Sequence, residues 1–175
     1  MTEARGPKNL HVVVMGVSGC GKTTVAERLR DSLGLAFAEG DAFHPRENVD
    51  KMAAGQPLTD DDRRPWLEAL VAWTRDRAAE GVSTVLSCSA LRRSYREILR
   101  GADPDTLFIH LHADFAVLAE RMRARAHFMP LSLLESQFDT LEPLEDDELG
   151  VQIDVTPPVE EVVALAEEAI RRLRT

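Results

Sequence analysis

The stretch that decides the fold is MGVSGCGKTT, residues 15–24. It lies directly after the apolar run LHVVV and before a segment with a helical pattern. Residues 16–23 match GxxxxGK[ST] in full, a pattern typical of a glycine-rich loop whose backbone N–H groups surround phosphate oxygens at the start of a helix. A simple glycine turn with a solvated lysine would need neither the strand nor the helix. The stretch therefore predicts a loop that binds a nucleoside triphosphate.

Each position of this loop has an expected role. Lys22 would reach the β- and γ-phosphates of ATP, and the Thr23 hydroxyl would ligate Mg²⁺. Further contacts with the nucleotide are expected from the other loop residues, which are Gly16, Ser18, Gly19, Cys20, Gly21 and Thr24. A dinucleotide fingerprint, GxGxxG, that started at Gly19 would need a third glycine where Thr24 stands, so that alternative fails.

Around the loop, apolar runs alternate with helical patterns. Strands are predicted at 10–15, 35–39, 83–89, 106–112 and 151–155, and helices at 21–33, 45–54, 65–80, 91–100, 114–125 and 159–174. Strands that are apolar throughout and separated by helices indicate a parallel sheet covered on both faces. The predicted fold class is therefore α/β, a three-layer P-loop NTPase fold with a five-stranded parallel sheet and helices on both faces.

Two segments interrupt this alternation, residues 55–66 and residues 126–150. Long excursions of this kind in a compact α/β domain are typical of active-site lids and binding loops. Nothing in the sequence divides the chain, so we expect a single domain over residues 1–175 with a mobile lid at about 122–148.

The net charge and the cysteine content indicate which kinds of partner the protein can bind. The chain has 175 residues and a formal net charge of −9, which opposes binding to nucleic acid and to anionic membranes. The two cysteines, Cys20 and Cys88, form no metal-binding spacing and no disulfide framework, and no signal peptide or bilayer-spanning run is present. We therefore expect a soluble protein of the reducing cytoplasm that acts on a small molecule.

Other features separate the classes of phosphate-loop protein. The sequence lacks the [NT]KxD motif of guanine-nucleotide switches, and its few aromatic residues and acidic charge oppose a motor on nucleic acid. Polar residues cluster after the predicted second and third strands, where ligands of open parallel sheets bind. This distribution favours a small-molecule kinase. A kinase for another acceptor, such as shikimate, and a non-catalytic ATP-binding regulator remain as alternatives.

A family resemblance becomes visible when four stretches are read together. They are GVSGCGKTT, GDAFHPRENVDKMAAGQPLTDDDRRPWL, SCSALRRSYREILR and HFMPLSLLESQFDTLE. The chain closely resembles gluconokinases of the short phosphate-loop type from about residue 10 to its C-terminus. That resemblance implies a fold like that of shikimate and nucleoside monophosphate kinases, with transfer of phosphate from ATP to the 6-hydroxyl of D-gluconate. It also implies a homodimer. Glu39 stands where the family often has Asp.

The acceptor is expected to meet residues after the second and third strands. Asp41 is the candidate to orient the attacking hydroxyl and accept its proton, although it could instead cap the next helix. His44 could contact substrate hydroxyls or a backbone carbonyl. Three arginines are candidates for the carboxylate of gluconate, namely Arg63, Arg92 and Arg96. For Arg96, a solvated helix face explains the residue almost as well.

The remaining candidates lead into the expected lid. Arg121 and Arg125 are four residues apart and share a helix face. By resemblance to related kinases, Arg121 would lie against adenine and Arg125 would reach the phosphates during catalysis. His127 would contact substrate or phosphate, or else pack within the lid.

Overall fold

The sheet is built as the alternation predicts. The structure is a computed structural model that describes residues 9–124 and 131–174. Within these ranges the strands are β1 His11–Met15, β2 Ala36–Glu39, β3 Thr84–Ser87, β4 Leu107–His112 and β5 Gly150–Asp154. All neighbouring pairs run parallel, in the order β2-β3-β1-β4-β5. The α/β class and the five-stranded parallel sheet are therefore confirmed.

Helices follow the strands. In the described ranges they are α1 Lys22–Leu33, α2 Arg46–Ala53, α3 Asp60–Ala79, α4 Arg93–Arg100, α5 Phe115–Arg123, α6 Leu131–Thr140 and α7 Val159–Arg174, with a 3-10 turn at Gly40–Phe43. Every residue of β1 is buried, as a central strand covered on both faces requires. Among the described residues, no helix combines the length and apolarity that crossing a membrane demands.

Helix α3 begins at Asp60, five residues before the helical pattern at 65–80, and the run Asp60 to Asp62 after Thr59 is the capped helix start that these residue types predict. Thr59 is its N-cap: the Thr59 hydroxyl accepts a hydrogen bond from the Asp62 backbone N–H at 3.1 Å, and the Asp62 carboxylate accepts one from the Thr59 N–H at 2.9 Å. This reciprocal capping box offsets the cost of Pro65 inside the helix. Placing Arg63 in a non-helical segment was therefore wrong, because it lies at the end of the first turn of α3.

Helix α6 was not predicted, since its residues fell in the irregular segment 126–150. Leu133 and Leu134 are buried, and the Phe138 ring packs edge-on against Phe115 of α5 at a centroid distance of 5.4 Å. These contacts place a helix of the expected lid region against the body of the protein, above the carboxyl ends of the strands.

Candidate nucleotide and acceptor site

The phosphate loop depends on glycines whose backbone no other residue could adopt without strain. At Gly16, with φ at 143°, an added Cβ would lie 2.4 Å from the Leu111 carbonyl oxygen and 2.8 Å from the Cys20 sulfur. Gly19 and Gly21 have φ of 84° and 88°, in the left-handed region. The loop therefore wraps tightly between β1 and the N-terminus of α1, as the motif predicts.

Lys22 and Thr23 open helix α1 beside this loop. The Lys22 ammonium donates to the Val17 carbonyl at 3.1 Å, so its charge lies across the loop. The Thr23 hydroxyl donates to Glu39 Oε2 at 2.5 Å, and the Ser87 hydroxyl donates to Glu39 Oε1 at 2.7 Å. Because the Thr23 hydroxyl donates its hydrogen to Glu39, the Thr23 oxygen can still accept a hydrogen bond or bind a cation.

A cavity of about 400 Å³ lies on one side of the loop. Its walls include Cys20, Gly21 and Thr24 of the loop and the segment 155–159 after β5. Arg121 also lines it and donates from its guanidinium to the Val155 carbonyl at 2.7 Å. Three of the predicted nucleotide residues of the loop, Cys20, Gly21 and Thr24, therefore share one cavity with Arg121, and that cavity is large enough for a base and a ribose.

A second cavity lies on the other side of the loop. Its lining includes Ser18 and Lys22 from the loop, Asp41 and His44 from the segment after β2, and Arg63 from α3. All of them come from the carboxyl-end side of the sheet, where the strand order places ligands. The structure therefore brings Lys22 together with three of the predicted acceptor residues, Asp41, His44 and Arg63, in one pocket.

Asp41 lies in the 3-10 turn after β2 and is exposed to this pocket. The N-cap of the following helix is Pro45, and no side chain caps that helix. Asp41 therefore does not cap this helix, and the Asp41 carboxylate is available to contact a ligand in the pocket.

The proton of His44 can be assigned from its neighbours. The Asn48 side-chain nitrogen donates to the Asp62 carbonyl at 2.8 Å and lies 3.2 Å from His44 Nδ1. Since the amide nitrogen can only donate, Nδ1 accepts and the ring proton lies on Nε2. Burial lowers the pKa of His44 to about 4, despite the nearby Asp41 carboxylate. At neutral pH His44 is a neutral ring with an Nε2–H donor.

Comparison with known proteins identifies the family. A family model described as an AAA domain matches residues 12–129. The gluconokinase of Gluconobacter oxydans (strain 621H) is 53% identical over 149 residues, which are 85% of this chain and 84% of that one. The thermoresistant gluconokinase of Escherichia coli (strain K12) is 45% identical over 164 residues, 91% of this chain and 93% of that one. The chain belongs to the gluconokinase family.

A solved structure supports the same assignment. The crystal structure of a gluconokinase from Sinorhizobium meliloti 1021 matches with a TM-score of 0.85 and 47% identity, over 97% of this chain and 95% of that one. The gluconokinase fold thus extends over nearly the whole chain, which confirms the resemblance noted from the sequence.

Two supports of the acceptor pocket in this gluconokinase relative were not found from the sequence. Trp66 is buried in the core; its indole N–H donates to the Gly40 carbonyl at 2.7 Å, and its ring stacks on His44 at 4.1 Å. Gly40 itself is required, because an added Cβ would lie 2.1 Å from the Ser87 carbonyl oxygen. Trp66 therefore fixes both the turn that carries Asp41 and the plane of His44.

Of the three arginines predicted to hold the carboxylate of a gluconokinase substrate, Arg63 is the one that lines the pocket. Its guanidinium donates to the Leu58 carbonyl at 2.7 Å and to the Tyr95 hydroxyl at 3.0 Å, and it lies over the Tyr95 ring. Arg92 is not among the residues that line the pocket: its half-exposed side chain pairs with Asp60 at 3.4 Å.

Arg96 is fully buried and away from the pocket, which corrects both its predicted substrate contact and its solvated alternative. Its guanidinium pairs with Glu148 at 2.7 and 3.0 Å and donates to the Ala90 carbonyl at 2.9 Å. Ala90 has φ at 45°, a strained value for a residue with a side chain. Arg96 therefore supports the loop after β3, where the neighbouring Ser89 carbonyl accepts from Gly16 N–H at 3.2 Å.

Replacing Glu148 with Leu is expected to lower the free energy of unfolding by about 3 to 5 kcal/mol, since it leaves the buried Arg96 charge without its carboxylate. Burial opposes ionisation of Glu148, but the hydrogen bonds from Arg96 and Arg100 outweigh it and lower its pKa to about 2. Urea denaturation gives the measurement, with the exposed Glu97→Leu as control. A loss below about 1 kcal/mol would show that the pair does not support the loop.

His110 is a buried titratable group outside the pocket. Neither ring nitrogen has a hydrogen-bond partner in the described part of the chain. Burial, followed by the nearby His112 and Arg96, lowers its pKa to about 4 against an ordinary value of 6.5. Between about pH 6.5 and 4, His110 is therefore protonated in the unfolded chain but neutral in the folded protein.

As the pH falls below about 6.5, the lowered pKa of His110 is expected to reduce the free energy of unfolding by up to about 1.4 kcal/mol per pH unit. The loss levels off as the pH nears the pKa of the folded state, and above about pH 6.5 there is no effect. His110→Leu should remove this part of the loss and leave stability flatter between pH 6.5 and 4.5. Denaturant titrations of the wild type and of His110→Leu over that range give the test. An unchanged slope in His110→Leu would contradict the assignment.

The other predicted residues cannot be placed. Arg125 and His127 lie outside the described residues. In the described part of the chain, no cluster of three or more His, Cys, Asp or Glu side chains is arranged to hold a metal ion. Magnesium at a phosphate loop does not need such a cluster, because it retains waters and binds substrate phosphates with one or two protein oxygens.

Proposed function

We propose that this protein is an ATP-dependent kinase that phosphorylates the 6-hydroxyl of D-gluconate, giving 6-phospho-D-gluconate and ADP. The observation that carries the proposal is one pocket in which Lys22 of the phosphate loop faces Asp41 and His44. An acceptor hydroxyl held there would lie next to the terminal phosphate of a nucleotide in the loop. Membership of the gluconokinase family supports gluconate as the acceptor.

On the nucleotide side, the loop amides and Lys22 would hold the phosphates, and Arg121 would border the base in the larger cavity. Thr23 is the proposed magnesium ligand, oriented by Glu39. Bound Mg²⁺ would supply charge neutralisation at the phosphate oxygens. Arg125 is proposed to stabilise charge on the transferring group, as the family resemblance implies.

On the acceptor side, the Asp41 carboxylate would orient the hydroxyl and take its proton as the new bond to phosphorus forms. His44 would donate from Nε2 to a substrate oxygen. Arg63 is the proposed partner of the carboxylate of gluconate, since it lines the pocket and its position is fixed by Tyr95. His127 is proposed to contact substrate or phosphate.

The setting of the enzyme is part of the same proposal. We place it in the cytoplasm as a homodimer, without nucleic-acid or membrane partners. Cys20 and Cys88 are both free and buried, which suits a reducing compartment. The net charge of −9 opposes association with polyanions.

A panel of acceptors tests the function. ADP release is measured with ATP, Mg²⁺ and one acceptor at a time: D-gluconate, other aldonates, shikimate or a nucleoside monophosphate. Release that depends on gluconate is the expected result. Dependence on a different acceptor would assign the protein to another kinase activity, and ATP consumption without any acceptor dependence would favour a regulator.

A further inference from the structure

A side chain of α6 reaches into the phosphate loop. The Ser18 backbone N–H donates to Gln137 Oε1 at 2.7 Å. Gln137 lies in α6, 119 residues further along the chain, so the contact joins the lid region to the loop. An amide oxygen bound by a loop N–H makes the interaction that a phosphate oxygen would make at the same donor.

The position of Ser18 indicates which phosphate it would meet. Cys20, Gly21 and Thr24 line the larger cavity, which suits the base and ribose. Ser18 instead lines the acceptor pocket together with Asp41. The phosphates of a bound nucleotide must run from the first cavity towards the second, so the Ser18 N–H lies at the end occupied by the terminal phosphate.

The acceptor pocket is also narrowed by the same helix. Leu133, Ser136 and Gln137 form one wall, and the free volume is about 50 Å³, room for only a few water molecules. A six-carbon acceptor therefore needs part of the lining to move, and α6 supplies one of the walls. The Gln137 side chain thus accepts the hydrogen bond from the Ser18 N–H and also lines the acceptor pocket.

The far end of α6 is anchored independently. The Glu142 backbone N–H donates to the Leu91 carbonyl at 2.7 Å, and the Glu142 carboxylate accepts from the Arg93 N–H at 2.8 Å. Both partners belong to the segment after β3. These two contacts hold the C-terminal end of α6. The Gln137 side chain and its turn of the helix can therefore move away from Ser18 while α6 stays attached to the protein.

We propose that Gln137 acts as an internal substitute for the terminal phosphate of ATP: its amide oxygen occupies the Ser18 N–H until the γ-phosphate displaces it and frees the acceptor pocket. The inference rests on the proposed use of ATP as phosphoryl donor. ADP lacks the competing phosphate and leaves the contact in place. ATP and the acceptor then favour each other's binding, because both require Gln137 to leave, and such coupling is reciprocal.

Binding measurements on the full chain test this without turnover. Dissociation constants for Mg·ADP and for a Mg-bound non-hydrolysable ATP analogue are measured by calorimetry. Gln137→Leu removes the competing oxygen and should tighten binding of the ATP analogue about threefold to tenfold, the equivalent of one lost hydrogen bond. Binding of ADP should stay within about twofold of wild type. Gln137→Glu, which places a carboxylate at the same N–H, should weaken binding of the ATP analogue more than binding of ADP, because the γ-phosphate lies nearer to the new charge.

Thr140→Val provides the matched control. It removes a side-chain hydrogen bond within α6, from Thr140 to the Ser136 carbonyl, without touching Ser18. Its nucleotide affinities should match those of wild type. The proposal is overturned if Gln137→Leu leaves affinity for the ATP analogue unchanged or weakens it, or if both nucleotides tighten equally. Since no acceptor is present, these outcomes are independent of whether gluconate is the substrate.

Discussion

Lys22→Met is expected to lower kcat by about 10³-fold while the protein remains folded. Lys22 lies at the start of α1, and its ammonium already lies across the loop through the Val17 carbonyl. Charge on the transferring phosphoryl group would lose its nearest fixed cation in the described part of the loop. Coupled ADP release with gluconate gives the rate, and thermal unfolding reports the fold.

Lys51→Met is the control for this variant. Lys51 pairs with Asp62 at 2.8 Å between α2 and α3, a partly exposed pair that contributes about 1 kcal/mol or less. Its removal should leave kcat within severalfold of wild type. A Lys22→Met enzyme with a rate near that of wild type would refute the role of Lys22.

Asp41→Asn is expected to lower kcat by about 10²- to 10⁴-fold and to leave ATP affinity nearly unchanged. The amide retains the size of the carboxylate but can no longer accept the hydroxyl proton. Because the structure excludes helix capping by Asp41, the variant should unfold at the temperature of wild type. Steady-state kinetics with gluconate and calorimetry with ATP separate the two effects.

Asp61→Asn is the control for Asp41→Asn. Asp61 is also exposed, but it lies in the first turn of α3. This variant should retain a rate within about twofold of wild type and lose a few tenths of a kcal/mol at the helix N-terminus. Equal rates for the two variants would show that Asp41 has no special place in the reaction.

Local patterns were sufficient for the fold and the phosphate loop. The apolar runs predicted every strand of the described residues, and GxxxxGK[ST] placed Gly16, Lys22 and Thr23 where the structure has them. These features depend on residues that are close in sequence. The helix predicted at 159–174 was also correct: Val162, Ala166, Ala169 and Ile170 recur at helical spacing and are buried.

The errors came from contacts between distant residues. Arg96 looked like a polar residue of a helix face, and nothing near it in sequence indicates Glu148, which lies 52 residues away. Helix α6 has apolar residues at helical spacing, but its place in a long irregular segment concealed them. The Gln137 contact with Ser18 spans 119 residues and was equally invisible.

Some roles lie between these cases. Asp41, His44 and Arg63 were chosen from their place after β2 and near Pro65, and the structure brings all three to one pocket. Their contacts with substrate stay predictions. The stacking of Trp66 on His44 was invisible in the sequence, because Trp66 comes from α3, 22 residues further along the chain. Asn48 lies only four residues after His44, so that support was within reach of local spacing.

Transfer of a labelled γ-phosphoryl group tests the central claim most directly. The enzyme is mixed with ATP labelled at the γ-phosphorus, Mg²⁺ and D-gluconate, quenched within one turnover, and the products are separated. The label is predicted to appear on the 6-oxygen of gluconate in the wild type, with at least about 10²-fold slower transfer in Lys22→Met and Asp41→Asn. Label found as inorganic phosphate, or on gluconate at equal rates in all three proteins, would contradict a shared pocket in which these groups carry out the transfer.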